Sequence, residues 1–365
     1  MIIGGGLSGL VWGIPLARAG ILSTVVEKKS YPFHRVCGEY ISNEAVPFLK
    51  QSKLFPDEFS PPQINRFQLS SVSGKQASIR LDLGGFGISR YSFDNFLYET
   101  ARKLGVDFHL GSEVLAIEFH DETFVVTTGD RRFTADLVIG AFGKRSRLDH
   151  ALDRSFLKKR SPYAGVKYHI RTDHPNDLIA LHNFSGGYCG ISNVEAGITN
   201  LCYLTHRDLL RKTGSIRAAE EAYLFKNPLL KYIFTNSDFI WPKPLVINEI
   251  SFESKTPLSR HILLAGDAAG MVAPLSGNGM AMAIHAAKIV SELVLDFVLN
   301  KLGRKELEEK YAYQWNKNFA TRLWKGRQIQ KLFGNRAASD LAVNLMLFSR
   351  PLTTAIVRNT HGDVF

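Results

Sequence analysis

Met1-Ile-Ile-Gly-Gly-Gly-Leu-Ser-Gly9 opens the chain and places three glycines in the pattern G-x-G-x-x-G. An apolar pair precedes the pattern and an apolar stretch follows it, which predicts a short strand, a tight turn and a helix from Leu7 to about Gly20. In such a unit Gly4 makes the turn, Gly6 lets a pyrophosphate approach the backbone, and Gly9 lets the helix lie close to the strand. Free N–H groups and the dipole at the start of that helix favour negative charge. The stretch therefore predicts a dinucleotide-binding loop.

Ser23-Thr-Val-Val-Glu27 supports this interpretation, because it predicts a second strand that ends in an acid 23 residues after Gly4. A carboxylate at this position accepts both hydroxyls of an adenosine ribose and disfavours the 2′-phosphate of NADP. We expect the unit to bind FAD or NAD; the alternative is a glycine-rich turn followed by a surface glutamate. Only three residues precede Gly4, whereas a buried parallel strand usually has about five or six. Either the chain has been trimmed or its first strand is unusually short.

Composition restricts the class of protein. The 365 residues predict about two domains, and 45% hydrophobic with 11% aromatic residues argues against disorder. No run approaches the roughly 18 apolar residues that a membrane span requires. The three cysteines, Cys37, Cys189 and Cys202, lack metal-binding spacing, so we expect no metal site and a reducing, cytoplasmic location.

The net charge of +11 is concentrated at one end of the chain. Residues 301–365 carry twelve Lys or Arg against five acids, which leaves +7 for this segment. A basic helix that packs on the core by its aromatic side is one interpretation. Peripheral contact with a membrane or another anionic partner is the other. Nucleic acid is not expected, because no binding module accompanies the charge. The aromatic and apolar residues concerned are Trp315, Phe319, Trp324, Leu332 and Phe333.

Periodicity predicts the order of the elements after the first unit. Residues 64–82 predict a hairpin around Ser73-Gly74, and a helix is expected from Ser92 to Leu104. Four short segments between 106 and 134 predict a meander, and Leu137–Ala141 a buried parallel strand. Period-two alternation between Tyr163 and Phe252 then predicts an antiparallel sheet.

A helical insert at about 215–227 interrupts that sheet, and the dinucleotide-type pattern returns at 261–267. A long helix follows to about Leu299, and the remainder is helical with breaks near Gly334 and Pro351. The sheet domain is thus predicted to be inserted into a discontinuous cofactor domain. The predicted division is residues 1–62, 85–160 and 253–300 for the cofactor domain, 63–84 and 161–252 for the sheet domain, and 301–365 for a C-terminal helical region.

The joint order of several motifs resembles the FAD-dependent oxidoreductases of the p-hydroxybenzoate hydroxylase and glutathione reductase 2 structural group. The resemblance covers about residues 1–300 and is strongest to the geranylgeranyl reductase and flavin-halogenase-like branch. It implies an α/β fold: a Rossmann-type FAD-binding domain with an inserted antiparallel β-sheet substrate domain and a helical C-terminal region. The motifs are Gly4-x-Gly6-x-x-Gly9, Glu27, Arg35-Val-Cys-Gly-Glu39, Arg90, Gly140-Ala-Phe-Gly143, Gly186-Gly-Tyr-Cys-Gly190 and Ala265-Gly-Asp-Ala-Ala269.

The resemblance also implies a set of FAD-binding residues. Asp267 would hold the ribityl or pyrophosphate part of FAD, although it could instead cap the next turn. Arg90 would approach the cofactor, with a surface salt bridge as the alternative. Backbone N–H groups in the glycine-rich turn that begins at Pro274 would face the flavin pyrimidine edge. The full expected set is Gly4, Gly6, Leu7, Ser8, Gly9, Glu27, Lys28, Arg35, Cys37, Gly38, Arg90, Val114, Gly143, Gly266, Asp267, Pro274, Gly277, Asn278, Gly279 and Met280.

The reaction is less well specified than the cofactor. The first expectation is a monooxygenase that hydroxylates a hydrophobic or aromatic small molecule in secondary metabolism. The alternatives are a C=C reductase of the geranylgeranyl reductase type, acting on an isoprenoid or polyene, and a redox-inactive FAD-fold binding protein. NADH or NADPH is expected as a transient electron donor, but Phe142 replaces an acid that in the family is tied to reduced-nicotinamide handling.

No catalytic base is evident, and Cys37 and Tyr188 are the catalytic candidates; an inert buried thiol is the alternative for Cys37. Gly190 stands where the reductase branch has a tryptophan. Trp12-Gly-Ile-Pro15 imitates half of a halogenase motif, but it lies in the first cofactor helix. A hydrophobic substrate is expected because of the aromatic residues of the sheet: Tyr163, Tyr168, Phe184, Tyr188, Tyr203, Phe239 and Trp241.

Overall fold

The computed structural model describes residues 1–273, 277–331, 333–348 and 362–365. Within them the strands are β1 (Ile2–Ile3), β2 (Thr24–Glu27), β3 (Tyr40–Ser42), β4 (Gln63–Ser70), β5 (Gln76–Gly87), β6 (Asp107–Leu110), β7 (Val114–His120), β8 (Thr123–Thr128), β9 (Arg132–Ala135), β10 (Ile139–Gly140), β11 (Tyr163–Arg171), β12 (Leu178–Phe184), β13 (Gly187–Asn193), β14 (Thr199–His206), β15 (Asp238–Phe239), β16 (Leu245–Ile250), β17 (Leu258–Ser259) and β18 (Ile262–Leu264). The α-helices are α1 (Leu7–Arg18), α2 (Val46–Gln51), α3 (Arg90–Lys103), α4 (Arg147–Ala151), α5 (Arg207–Thr213), α6 (Ile216–Tyr223), α7 (Pro228–Asn236), α8 (Gly279–Val298), α9 (Arg304–Trp315), α10 (Thr321–Gln330) and α11 (Arg336–Phe348).

A six-stranded, mostly parallel sheet forms the cofactor half, in the order β17-β18-β10-β1-β2-β6. β1 lies between β2 and β10 and is parallel to both, so the short apolar pair is completely paired. Leu10 and Ile14 of α1 and Ile284 of α8 are fully buried in one core with these strands. The expected α/β, Rossmann-type architecture is confirmed. The meander is smaller than predicted, because β6 pairs parallel with β2 and only β7, β8 and β9 form it.

A nine-stranded sheet forms the second half, in the order β15-β11-β14-β13-β12-β4-β5-β3, with β16 paired to β11. Its pairs are antiparallel as predicted except one, since β12 lies parallel to β4. β3, from the first 62 residues, extends this sheet through β5. The helical insert is also larger than predicted and comprises α5, α6 and α7.

The nine-stranded sheet has two chemically different faces. Its outer face, which includes Val166, Tyr168 and Tyr203, packs against Leu230 and Phe234 of α7. Its inner face lies toward the cofactor half, because Lys167 and Asn200 on this face contact the segment from Arg35 to Gly38. The inner face also includes Tyr163, Tyr188 and Cys202. Alternation along β11 and its register with β14 place Lys167 directly opposite Cys202.

The C-terminal helices pack mainly by their aromatic side. Tyr311, Trp315 and Phe319 are buried in the core of the cofactor half, and Phe333 contacts Tyr188 on the inner face with 5.2 Å between ring centroids. Trp324 is exposed; Leu332 and the break expected near Pro351 lie outside the described residues. None of the described helices combines the length and apolar character needed to cross a membrane.

Candidate cofactor and substrate site

The glycine loop has the geometry that a phosphate cradle requires. Gly4 has φ of +102°, and a β-carbon there would lie 2.5 Å from the Ala141 carbonyl oxygen. A β-carbon on Gly9 would clash with the carbonyl oxygen of Gly4. Around Gly6 the nearest atoms to an added β-carbon are 4.0 Å away. Two glycines are therefore needed for packing, whereas the space beside Gly6 is open to a ligand.

The start of α1 leaves polar groups available. Gly6 is the N-cap residue, so no side chain caps the helix, and the first turn contains no acid. The hydroxyl of Ser8 is buried and has no hydrogen-bond partner among the described residues. Leu7 and Ser8 therefore present backbone N–H groups and one hydroxyl in the position expected for a pyrophosphate.

Glu27 lies beside the loop with an ordered carboxylate. It accepts hydrogen bonds from the N–H groups of Gly5, at 2.8 Å, and Lys29, at 3.1 Å. The Arg35 guanidinium is 3.5 Å from the same carboxylate. A carboxylate has about four lone-pair sites, so these contacts leave acceptors for the ribose hydroxyls. Lys28 is exposed at the end of β2.

Arg90 and Arg35 share one buried partner that sequence reasoning missed. Asp94, which is 1% exposed, accepts from Arg90 at 2.6 and 2.8 Å and from Arg35 at 3.1 Å. A β-carbon on Gly6 would lie 4.0 Å from the Arg90 guanidinium, so this arginine reaches the phosphate loop. The i,i+4 spacing of Arg90 and Asp94 in α3 could have indicated the ion pair between them, because residues four apart lie on the same side of a helix.

A second group of residues surrounds Asp267. Its half-buried carboxylate makes no hydrogen bond to the described residues and does not cap the following turn. Burial raises the pKa of Asp267. Nearby cations oppose this shift, and Lys255 has the largest opposing effect. The Lys255 ammonium donates to the carbonyls of Lys144, at 2.7 Å, and Asp267, at 2.8 Å. Burial lowers the pKa of both lysines to about 8. The segment is thus basic, and it holds one carboxylate available to a hydroxyl.

The start of α8 completes this part of the site. Gly277 has φ of +65°, and Gly279 and Met280 begin the helix without an acid in its first turn. One cavity is lined by Gly266, Asp267 and Gly279 together with Trp315 and Phe319 of the C-terminal region. The structure therefore brings the two expected segments together. Asn278, the N-cap residue of α8, is buried, and Pro274 lies outside the described residues.

Two further expected residues, Val114 and Gly143, differ in their surroundings. Val114 is buried at the start of β7. Gly143 has φ of +83° and no heavy atom within 4 Å of an added β-carbon. The Phe142 ring folds back over Gly140, where a β-carbon, if one were present, would lie 2.6 Å from the ring. An aromatic ring thus packs at the position where the family acid would stand.

The segment from Arg35 to Gly38 lies on the inner face of the sheet. The Asn200 amide donates to the carbonyls of Cys37, at 3.2 Å, and Gly38, at 2.9 Å. Burial raises the pKa of the Cys37 thiol, although Arg90 opposes the shift. A thiol with a raised pKa is a poor nucleophile, so Cys37 is a neutral group in this segment.

Gly190 and Cys202 are two partly exposed positions on the inner face next to this segment, and we call this place the opening. Gly190 pairs with Cys202, and both are partly exposed, whereas Tyr188, Lys167 and Asn200 around them are buried. A β-carbon added to Gly190 would be in ordinary van der Waals contact with its nearest neighbour, a side-chain atom of Leu181 at 3.4 Å. The Asn200 amide oxygen has no partner among the described residues. The absence of a side chain at Gly190 thus leaves room on this face.

The predicted aromatic wall is wrong in part, because its residues belong to different surfaces. Tyr168, Phe184, Tyr203 and Phe239 belong to the outer-face core with α7, and Trp241 stacks on His169. Tyr163 and Tyr188 are the members on the inner face, and the Tyr188 hydroxyl donates to the side-chain oxygen of Gln330, at the end of α10, at 3.3 Å. Alternation predicts which residues share a face, but the sequence contains no signal for which face meets the cofactor half.

These features define a flavoprotein fold: an open glycine loop at the start of a helix, an acid at the end of β2 beside it, and a second segment at the start of a long helix. The chain belongs to the FAD binding domain family, whose model matches residues 1–193, and the family is one of FAD-dependent oxidoreductases. Trp12 is buried within α1, so the halogenase-like tetrapeptide lies in the cofactor fold as expected.

Several curated proteins are similar over most of the chain. Digeranylgeranylglycerophospholipid reductase 2 of Methanopyrus kandleri is 23% identical and covers 93% of this chain and 88% of its own length. Conditioned medium factor receptor 1 of Dictyostelium discoideum is 24% identical over 96% of this chain and 71% of its own. Tryptophan 2-halogenase of Chondromyces crocatus is 21% identical over 87% of this chain and 65% of its own.

Solved structures share the fold. A geranylgeranyl bacteriochlorophyll reductase-like protein from Thermoplasma acidophilum superposes with a TM-score of 0.79 at 16% identity, covering 98% of this chain and 94% of the other. The halogenase PltM in complex with phloroglucinol and FAD has a TM-score of 0.77 at 15% identity, covering 98% and 81%. The resemblance to the geranylgeranyl reductase and halogenase branch is confirmed at the level of fold and family.

Proposed function

We propose that the protein binds FAD across Gly6, Glu27, Arg90 and Asp267 and acts on a hydrophobic small molecule held against the inner face of the nine-stranded sheet. The observation that carries the proposal is the opening at Gly190 beside Cys37 and Gly38. When bound, FAD supplies the redox chemistry, while the protein orients the substrate and excludes water.

The first candidate reaction is reduction of a C=C bond in an elongated apolar substrate. Beyond the opening, Leu69, Leu181 and Leu204 of the inner face are buried in one apolar core with Val343 and Met346 of α11. A substrate that entered between the sheet and α11 would meet only apolar side chains there, which suits an isoprenoid or polyene chain. The reductase from M. kandleri, similar over 88% of its length, supports this choice.

Monooxygenation is the second candidate, and a polar pair on the same face favours it. The Tyr188 hydroxyl donates to Gln330, and Tyr163 lies in the same apolar cluster of the inner face. Two hydroxyls in apolar surroundings can orient one polar substituent of an aromatic ring. An aromatic hydroxylase needs such orientation to select one ring position.

Product analysis separates the two reactions. The enzyme is reduced anaerobically, mixed with a candidate polyene or aromatic compound, and exposed to isotopically labelled oxygen. A reductase yields a product that has gained hydrogen and no labelled oxygen, before or after oxygen is admitted. A monooxygenase yields labelled product only after oxygen is admitted. Purified protein that remains colourless and takes up no FAD would instead favour the redox-inactive alternative.

NADH or NADPH remains the proposed electron donor. Glu27 disfavours the 2′-phosphate in the cradle itself, but a transient donor binds elsewhere, so both nucleotides are candidates. Stopped-flow bleaching of bound FAD by each nucleotide tests the donor. Failure of both nucleotides would indicate another reductant.

The proposal places the enzyme in the cytoplasm with peripheral contact to a membrane, where long apolar substrates dissolve. Trp324 is 56% exposed on α10, a helix that also carries Arg327 in its last turn. We expect Trp324→Ser to weaken binding to anionic phospholipid vesicles in a sedimentation assay, because tryptophan favours the interface. Tyr313→Ser, at an exposed position of α9, is the matched control. Equal vesicle binding by wild type and Trp324→Ser would contradict the contact.

A further inference from the structure

Three buried polar side chains join the Arg35–Glu39 segment to the inner face of the sheet. The side chains of Glu39, Lys167 and His169 are 0%, 0% and 3% exposed. The Lys167 ammonium pairs with one oxygen of Glu39, and the His169 ring nitrogen lies 2.7 Å from the other. The backbone N–H of Arg90 also donates to Glu39, at 2.8 Å. One carboxylate therefore binds groups from two strand positions and from the start of α3.

The backbone at Glu39 is held in an unfavourable conformation. Its φ is +53°, in the left-handed region where a residue other than glycine is strained. The surrounding contacts hold the segment there: Lys167 donates to the carbonyl of Arg35 at 3.1 Å, and Asn200 donates to the carbonyls of Cys37 and Gly38. Such strain persists only where neighbouring groups over-determine it, and it concentrates at functional sites.

The electrostatics agree with a charged carboxylate. Burial alone would raise the pKa of Glu39, but Lys167 and then His169 lower it to about 2. His34 approaches His169 edge-on, with 5.2 Å between ring centroids, and Trp241 stacks on His169 and contacts His34 as well. A buried ion pair contributes little net stability compared with apolar residues of the same volume. The cluster therefore calls for a role other than stabilisation of the fold.

We propose that Glu39, Lys167 and His169 are positioning residues, which hold the Cys37–Gly38 backbone in one conformation between the cofactor site and the substrate opening. The inference rests on the proposed function, because it assumes that this backbone lines the cofactor. Binding of FAD then depends on side chains of the substrate sheet that do not belong to the phosphate loop.

The test uses the double variant Glu39→Gln/Lys167→Met. Single removal of one partner would leave an uncompensated buried charge, whereas the double variant removes both charges and nearly conserves volume. Alkylation of Cys37 in the FAD-free protein, located by peptide mass spectrometry, reports the conformation of the segment. We expect about tenfold faster alkylation and about tenfold weaker FAD binding, since a released segment samples open conformations.

The control is Glu220→Gln, a buried carboxylate on the outer face that accepts hydrogen bonds from Tyr168 and Tyr203, each at 2.9 Å. It should change the melting temperature without changing Cys37 alkylation or FAD affinity. His169→Asn, which retains a hydrogen-bond donor, serves if the double variant does not fold, and the same direction of change is expected.

Wild-type alkylation rates in both Glu39→Gln/Lys167→Met and His169→Asn would overturn the inference. Faster alkylation with unchanged FAD affinity would overturn its link to the cofactor. Wild-type protein that takes up no FAD would contradict the proposed function, while the alkylation comparison would still report on the cluster.

Discussion

Substitution of Gly6 by alanine separates binding of FAD from stability of the fold. The residue has φ of −79° and ψ of −178°, which alanine adopts without strain, and no atom lies closer than 4.0 Å to the added β-carbon. Alanine is a poorer N-cap residue than glycine, so we expect a loss of about 0.5–1 kcal/mol in the free energy of unfolding. The larger effect falls on the ligand, because the methyl group occupies the space that the pyrophosphate needs.

The magnitude follows from the hydrogen bonds that the phosphate would lose. A hydrogen bond from a backbone N–H to a charged oxygen contributes about 1.5–3 kcal/mol. Loss of two of them weakens binding by about 3–6 kcal/mol, which is at least roughly a hundredfold in Kd. Titration of FAD fluorescence measures this directly. A thermal melt gives an independent measure, since FAD at about 100 times its Kd adds roughly 2.7 kcal/mol to the stability of the wild type.

Gly303→Ala is a closely matched control. Gly303 is the N-cap residue of α9, with φ of −77° and ψ of 162°, and has no atom within 4 Å of an added β-carbon. It should lose the same local stability and retain FAD affinity. Gly9→Ala should instead destabilise the protein itself, because its β-carbon would clash with the carbonyl oxygen of Gly4. Wild-type FAD affinity in Gly6→Ala would refute the assignment of the loop.

Three further substitutions test other parts of the site. Glu27→Gln should weaken FAD binding by about tenfold in the same titration, because a neutral amide accepts hydrogen bonds less strongly than a carboxylate; unchanged affinity would contradict the ribose contact. Gly190→Trp should fill the opening on the inner face, which should raise KM for a long substrate and leave FAD affinity unchanged; loss of FAD instead would mean that the opening belongs to the cofactor site. The pKa of Glu39 falls from 4.5 to about 2 on folding. Relative to protonated Glu39, ionised Glu39 therefore favours the folded state by about 3 kcal/mol, an effect that should be complete above about pH 4.5 and disappear as the pH falls toward about 2. Urea titrations across this range should show a flatter profile for Glu39→Gln/Lys167→Met, and a profile parallel to that of the wild type would contradict the shift.

Local patterns predicted the first unit of the fold because its requirements are local. Gly4 needs a positive φ, Gly9 needs close packing, and Glu27 ends a short β-branched strand; each of these is a property of one residue and its neighbours. The same applies to α3, where the side chain of Ser89 accepts from Ser92 at 3.1 Å and Gly105 follows the helix with φ of +89°.

Pairing partners could not be predicted in the same way. A strand as short as β6 has the same composition whether it lies in a meander or beside β2. The parallel pair of β4 with β12 likewise depends on residues far apart in the chain. At the helical insert a signal was present: Asn227 accepts from the backbone of Leu229 at 3.0 Å, and Pro228 begins α7. An Asn-Pro pair is typical of the start of a helix, so residues 227–228 indicated that a further helix follows. The prediction instead ended the helical insert at residue 227.

The parts of the site missed by the prediction depend on tertiary contacts. Asp94 and Lys167 are charged residues in elements that were correctly expected, but their burial and partners are not encoded locally. The left-handed conformation of Glu39 has no sequence signal, since the residue favours it no more than most others do. Residue types thus indicated the cofactor, while the contacts between the two sheets indicate how its surroundings are held.

The position of β3 has a consequence for how this protein can be divided. Ile41 pairs with Phe86, so a strand that the chain supplies before the sheet region forms the edge of the nine-stranded sheet. A gene fragment limited to the sheet region would leave β5 with an unpaired edge, which promotes association with other strands. Swapping the sheet between relatives to alter substrate preference would therefore require Tyr40–Ser42 to be exchanged with it, as part of one module.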